Sequence, residues 1–273
     1  MADPFKHPNL RLQAPGRVNL SQIDPAQQPF SVGDKEADKA RLSELSARLA
    51  ELQNRLYADK SHKLLLVLQG MDTSGKDGTI HWVFREVDPL GVRAISYKVP
   101  SAPEAQRDFL WRHHRDVPVP GEIVIFNRSH YEAVVVEYVS GLIDDNERVR
   151  RYGHIRAFEE LLADTGTTLI KCFLHISKDE QRHRLQQRID DPERRWKIDE
   201  SDLKARSLWS NYQQAYELAL GATATAHAPW YIVPPDSKSH RNLMVMEIVL
   251  QTLERFTLTY PAGLPSLVGL KVK

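Results

Sequence analysis

From residue 63 the chain runs Lys-Leu-Leu-Leu-Val-Leu-Gln and continues directly into Gly70-Met71-Asp72-Thr73-Ser74-Gly75-Lys76. An apolar run without polar alternation has no solvent-facing side. As a strand it must be buried on both faces, which a parallel sheet covered by helices provides. The glycine that ends the run, and the helical pattern that follows to about Val87, place a tight strand-to-helix connection at residues 70–76. Glycines at both ends of such a connection let the backbone turn so that successive amide N–H groups point inward. The helix behind adds its positive N-terminus, and Lys76 supplies a mobile cation. Together these features make a cradle for phosphate.

The rest of the chain fits the same sheet. Further strands are expected at Val92–Val99, Glu122–Phe126, Thr168–Ile176 and Trp230–Pro234. Between and after them, helices are expected at about Pro103–His114, Val149–Ala163, Lys178 onward, Ser201–Leu220 and Arg241–Thr257. Strands alternating with helices mean βαβ units and an α/β fold, a parallel sheet flanked by helices on both sides. Leucines 42, 45, 49, 52 and 56 recur at steps of three and four, which predicts an amphipathic helix over about Asp34–Asp59. Its stripe either packs on its own domain or forms a dimer seam. Residues 1–33, punctuated by Pro4, Pro8, Pro15, Pro25 and Pro29, read as an extended arm lying on the body, 34–262 as one α/β domain, and 263–273 as a tail.

Composition removes several function classes. The 37 Lys plus Arg balance 36 Asp plus Glu to a formal net charge of +1, so this is no basic nucleic-acid binder, and any polyanion must be held by local clusters of cations. No apolar stretch approaches the roughly 18 residues of a membrane span. The lone Cys172 permits no internal disulfide. The expectation is a soluble, cytoplasmic protein.

The residue after Lys76 is Asp77, where a Ser or Thr hydroxyl would usually hold Mg²⁺, so the metal site must be built differently. Asp72, inside the loop, is the available carboxylate; its alternative role is to cap backbone amides. Asp77 reads as a first-turn acid favoured by the helix dipole rather than as a metal ligand. Ligands of open parallel sheets bind beyond the carboxyl ends of the strands, where Asn127-Arg128-Ser129-His130-Tyr131-Glu132 follows an expected strand. Arg128 there can neutralise charge on a transferred phosphoryl group, Asn127 can hydrogen-bond a metal-bound water, and Glu132 can replace the negative charge that Asn127 lacks. The alternative is a strand-end ion pair of Arg128 with Glu132. Residues 181–206 carry Arg184, Arg188 and Lys197 and occupy the position of a helical lid. Taken alone, such a run would be a solvated helix laced with surface ion pairs.

Gly70-Met-Asp-Thr-Ser-Gly-Lys-Asp-Gly-Thr79, Asp108-Phe-Leu-Trp-Arg112, Gly121-Glu-Ile-Val-Ile-Phe-Asn-Arg-Ser-His-Tyr-Glu132, Arg184-Leu-Gln-Gln-Arg188, Trp196-Lys197 and Ala228-Pro-Trp-Tyr231 together resemble the polyphosphate kinase 2 family over about residues 35–257. The resemblance implies a thymidylate-kinase-like phosphate-loop fold with a helical lid, and Mg²⁺-dependent phosphate transfer between inorganic polyphosphate and nucleotides. It implies catalytic roles for Asp72, Lys76 and Arg128; the reading of the residues themselves adds Asn127 and Glu132 beside them and expects Mg²⁺ on Asp72 and Glu132. It also implies phosphate contacts from Gly70, Thr73, Ser74, Gly75, Lys76, Asp77, Gly78 and Thr79, and from the lid cations Arg184, Arg188 and Lys197. Asn127 stands where the family usually has aspartate. With Ser-His-Tyr-Glu after it, this is similar to the branch that accepts nucleoside monophosphates as well as diphosphates. Assembly into a dimer or tetramer is implied too. The rival readings are an ATP-dependent nucleoside monophosphate kinase and a non-catalytic nucleotide-binding module.

Overall fold

A computed structural model describes residues 10–267 and 269–271 of the chain; the first nine residues of the expected arm, and residues 268, 272 and 273 of the expected tail, lie outside the described residues. In chain order the elements are β1 (Arg11–Leu12), α1 (Lys35–Asp59), β2 (Lys63–Gln69), α2 (Lys76–Phe84), β3 (Val92–Ser96), α3 (Ala102–Ala105), α4 (Trp111–Arg115) and β4 (Ile123–Asn127). Then come α5 (Glu132–Val139), α6 (Asp145–Asp164), β5 (Thr167–Leu174), α7 (Lys178–Asp190), α8 (Glu200–Ser207), α9 (Trp209–Thr223), β6 (Trp230–Val233) and α10 (Lys238–Leu253).

The six strands form one sheet in the order β1-β6-β5-β2-β4-β3. All pairs are parallel except β1 with β6. The apolar run of β2 lies at the centre, Leu64 to Leu68 fully buried between β4 and β5, as a strand with no wet face must. From β2 the chain moves outward to β3 and back to β4 on one side, then crosses to β5 and β6 on the other. The crevice beyond β2 and β4 is therefore the point where strand order reverses, and the glycine loop opens into it.

Three expectations change. The helix expected over 103–114 is two short pieces, because Asp108 accepts from the Leu110 N–H and turns the chain between α3 and α4. The helix expected over 201–220 breaks at Leu208 into α8 and α9. Helix α5, which carries Val134-Val135-Val136, has no counterpart in the expected element order; its β-branched run gives little helical signal. The arm does more than lie on the body: Arg11 and Leu12 pair antiparallel with Tyr231 and Trp230 and extend the sheet. The leucine stripe of α1 is buried at all five positions, and α1 packs along α10, so the stripe is used within the chain and the dimer-seam alternative falls. Among the described residues no helix is long and apolar enough to cross a membrane.

Candidate active site

The loop between β2 and α2 is held open by its backbone. Gly70 (φ +147°) and Gly75 (φ +106°) occupy conformations that side chains resist, and a Cβ on Gly70 would meet the Leu174 carbonyl oxygen at 2.7 Å. Thr73 adopts φ +62°, a left-handed strain of about 1–3 kcal/mol that the surrounding structure must impose. Among the described residues, five of the ten helices receive a side-chain cap, from Asp34 for α1, Asp144 for α6, Ser177 for α7, Asp199 for α8 and Ser237 for α10. Helix α2 begins at Gly75 with none, so its first amides stay available to a ligand. The hydroxyls of Thr73 and Ser74 are buried without a partner among the described residues. Lys76 Nζ folds back on its own loop, donating to Gly70 O at 2.7 Å and Met71 O at 3.2 Å. Burial pulls its ammonium below the usual lysine value, with Asp72 acting in the opposite direction.

The second half of the site is the turn after β4. Arg128 has φ +62°, and that conformation carries its guanidinium back over the loop, where Nη2 donates to Asp72 Oδ1 at 2.8 Å while Nη1 stands 3.8 Å from Glu132 Oε2. The ion pair with Glu132 weighed from sequence is thus present, but the shorter contact is to the loop aspartate. Burial drives the Glu132 carboxyl above its ordinary value against the opposing pull of Arg128 and Lys76. Asn127 Nδ2 donates to Asp77 Oδ1 at 2.6 Å. An aspartate at 127 would bring two carboxylates together there; the amide makes the contact a hydrogen bond.

The lid cations divide. Arg184 is buried, and its guanidinium donates to Thr73 O (3.0 Å), Ser74 O (3.2 Å), Pro235 O (2.6 Å), Asp236 O (3.1 Å) and Glu180 Oε1 (2.7 Å). Four of these bonds go to the underside of the loop and the residues after β6 and the fifth to Glu180 of its own helix, so in this structure the Arg184 guanidinium braces the loop from behind. The hydroxyl of Thr79 is buried and turns back to Gly75 O at 3.1 Å. Arg188 is half-buried, donating to Lys197 O at 2.9 Å, and Lys197 Nζ lies 5.0 Å from the ring centre of the exposed Trp196.

Sequence reasoning missed part of the site. The Asp202 carboxyl of α8 is pushed up by burial and by the charge of Asp72. Burial and the same acids, Asp72 and Glu132, raise the phenols of Tyr212 and Tyr216 on α9. Asp202 reads from sequence only as the far end of a helix-start box with Asp199, which it also is. Tyr212 reads as helix packing. Behind the Arg128 turn, Lys171 Nζ donates to Glu159 Oε2 (2.6 Å), Tyr131 OH (2.9 Å) and Thr223 O (2.9 Å), and Tyr131 OH donates to Glu159 Oε1 (2.8 Å). His130 Nε2 lies 3.2 Å from the same Glu159 oxygen. The side chains that follow Arg128 are therefore locked from the rear, and this is what holds its strained backbone.

A family description, Polyphosphate kinase 2 (PPK2), matches residues 32–259. The chain belongs to the polyphosphate kinase 2 family. It is 51% identical over 251 residues to a Meiothermus ruber protein named AMP/ADP-polyphosphate phosphotransferase, covering 92% of this chain and 94% of that one. It is 43% identical over 231 residues to an ADP-polyphosphate phosphotransferase of Rhodopseudomonas palustris, covering 80% of each. Among solved structures, Polyphosphate Kinase 2 from Arthrobacter aurescens TC1 superposes with a TM-score of 0.90 at 39% identity, covering 99% of this chain and 94% of that one. In this family member the glycine loop and the Arg128 turn make the two halves of one site.

Proposed function

We propose that the chain transfers phosphate between inorganic polyphosphate and nucleotides, AMP and ADP first and GMP and GDP as further acceptors, with Mg²⁺. The observation that carries this is the meeting of Asp72, Arg128 and Glu132 over a loop with uncapped amides and a buried lysine. The donor set suits a hard divalent cation: two partly exposed carboxylates converge on one guanidinium, and Mg²⁺ is commonly held by one or two carboxylates plus substrate phosphates. Asp72 and Glu132 would hold it, and when bound it would polarise the transferred phosphoryl group. The loop amides and Lys76 hold the terminal phosphate of the polymer. A nucleotide phosphate oxygen attacks that phosphorus in line, the bridging P–O bond breaks, and the shortened polymer leaves; Arg128 neutralises the charge that develops. The attacking oxygen is already ionised at neutral pH, so no base is required.

Arg188 and Lys197, on the exposed segment beyond the anchored Arg184, are the lid cations that close over the polymer and exclude water. The same reading places the enzyme in the cytoplasm as a homo-oligomer, with its seam on a face other than the leucine stripe of α1. The deciding assay supplies Mg²⁺ and long-chain polyphosphate with AMP, ADP, GMP and GDP in parallel. ADP from AMP and ATP from ADP are expected. Absence of both products refutes the proposal, and turnover with ATP plus a monophosphate but never with polyphosphate makes the chain an ordinary monophosphate kinase.

A further inference from the structure

Arg241, in the first turn of α10, is a buried guanidinium, 3% exposed, without a carboxylate partner among the described residues. Its Nε and Nη2 donate to Oδ1 of the adjacent Asn242 at 3.1 and 2.8 Å, and its Nη1 reaches Ser74 O at 3.5 Å. It lies flat against the back of the glycine loop: a Cβ on Gly75 would fall 1.8 Å from Nη1, and one on Gly78 3.2 Å from Nη2. The charged groups around it are cations. Arg184 faces it from α7 and Lys238 lies one turn before it on α10, while the nearby acid, Glu180, is bound to Arg184. Burial and Arg184 push the Arg241 guanidinium down to about 9, which leaves it charged at neutral pH.

A buried cation with no counterion is strongly disfavoured and persists where something outside the chain supplies the opposite charge. We propose that Arg241 is a positioning residue whose counterion is the phosphate seated on the opposite face of the loop. Only the backbone of residues 74–78 separates the two. In that dry layer the charge acts through the loop with little screening, and the guanidinium, with Nη1 on Ser74 O and packed under Gly75, backs the amides that face the ligand. Gly75 is then required twice, for its left-handed backbone and for the room it leaves the guanidinium. The inference rests on the loop being the phosphate site.

The test is calorimetric titration of the full chain with inorganic tripolyphosphate, for wild type, Arg241→Met and Arg241→Lys, beside thermal unfolding of each. Arg241→Met is expected to bind at least tenfold more weakly, and Arg241→Lys to bind near wild type at pH 6. The lysine, buried beside Arg184, then sheds its proton more easily than arginine does, so the ratio of wild-type to Arg241→Lys affinity widens between pH 6 and 8. A structural role alone would move the melting temperature but not that ratio. Undiminished binding by Arg241→Met overturns the proposal; so does a constant ratio across pH, which decides the matter even where the methionine variant does not fold. Failure of the wild type itself to bind tripolyphosphate removes the loop reading instead.

Discussion

Two sets of cations serve the crevice beyond β2, and they differ in how they are held. Lys76, Arg184 and Arg241 are buried, and hydrogen bonds to backbone carbonyls bind each to the loop itself. Arg188 is half-buried and Lys197 exposed, and the one hydrogen bond given to the Arg188 side chain goes to the Lys197 carbonyl. Arg184 and Arg188 sit four residues apart on one helix and share a face. Equal spacing and charge therefore do not make equal roles. Depth along α7 decides: the inner arginine meets the ends of β6 and the loop, the outer one meets solvent. A buried cation with all donors satisfied cannot swing toward a ligand without orphaning carbonyls, so it shapes the site. A less buried one loses little by moving, so it can follow a substrate.

That contrast is broken most sharply at Lys76, a buried cation of the loop itself. Lys76→Ala is expected to slow transfer from polyphosphate by about a thousandfold, the scale of losing one preorganised charge-stabilising donor, with the circular dichroism spectrum unchanged. Turnover within threefold of wild type would show that the phosphate is held elsewhere.

The next effect separates the two arginines of α7. Arg184→Ala leaves the carbonyls of Thr73, Ser74, Pro235 and Asp236 without a donor in a buried place and should cost about 2–4 kcal/mol in urea unfolding, with activity falling alongside. Arg188→Ala should lower the rate about tenfold at saturating nucleotide while changing stability by less than about 0.5 kcal/mol. The reverse pattern, a stable Arg184 variant and an unfolded Arg188 variant, would mean that the inner end of α7 is the moving part.

Much of this was legible in the residues. The apolar run of β2 fixed a parallel sheet, the glycines and Lys76 fixed where its loop would lie, and the order of strands and helices followed. What could not be read depends on contacts between segments far apart in the chain. Nothing local distinguishes Arg184 from Arg188, because the difference is the approach of residues 73–74 and 235–236 to one of them. Arg241 lies in an ordinary helix start, and only the fold brings it beneath Gly75. Asp202 has a sufficient local explanation as a helix-start acid, which hides its place beside Asp72. Strand β1 spans two residues of a proline-punctuated arm and owes its existence to the free edge of β6.

The smallest expected effect lies with the carboxylates between the two sets of cations. Burial raises the Glu132 carboxyl, so the ligand-free fold binds its proton more tightly than the unfolded chain does. The stability it contributes is therefore present at acid pH and is lost as pH rises from the ordinary glutamate value through the raised one. Glu159, fully buried behind the same turn, has the opposite sign. Burial works to raise it, but Lys171 and His130 outweigh burial and hold it low, so its contribution is present at neutral pH and fades only as pH falls below the ordinary value. A protonated Glu132 cannot help hold a divalent cation. The acid limb of kcat/KM for polyphosphate should accordingly begin above the usual glutamate range and steepen at low Mg²⁺, as metal and proton compete for one oxygen. Glu132→Gln should be slower at neutral pH and lack that limb, measured by initial rates from about pH 5 to 8. If its profile keeps the same acid limb as wild type, the titrating group is not Glu132, which then serves only to steady Arg128.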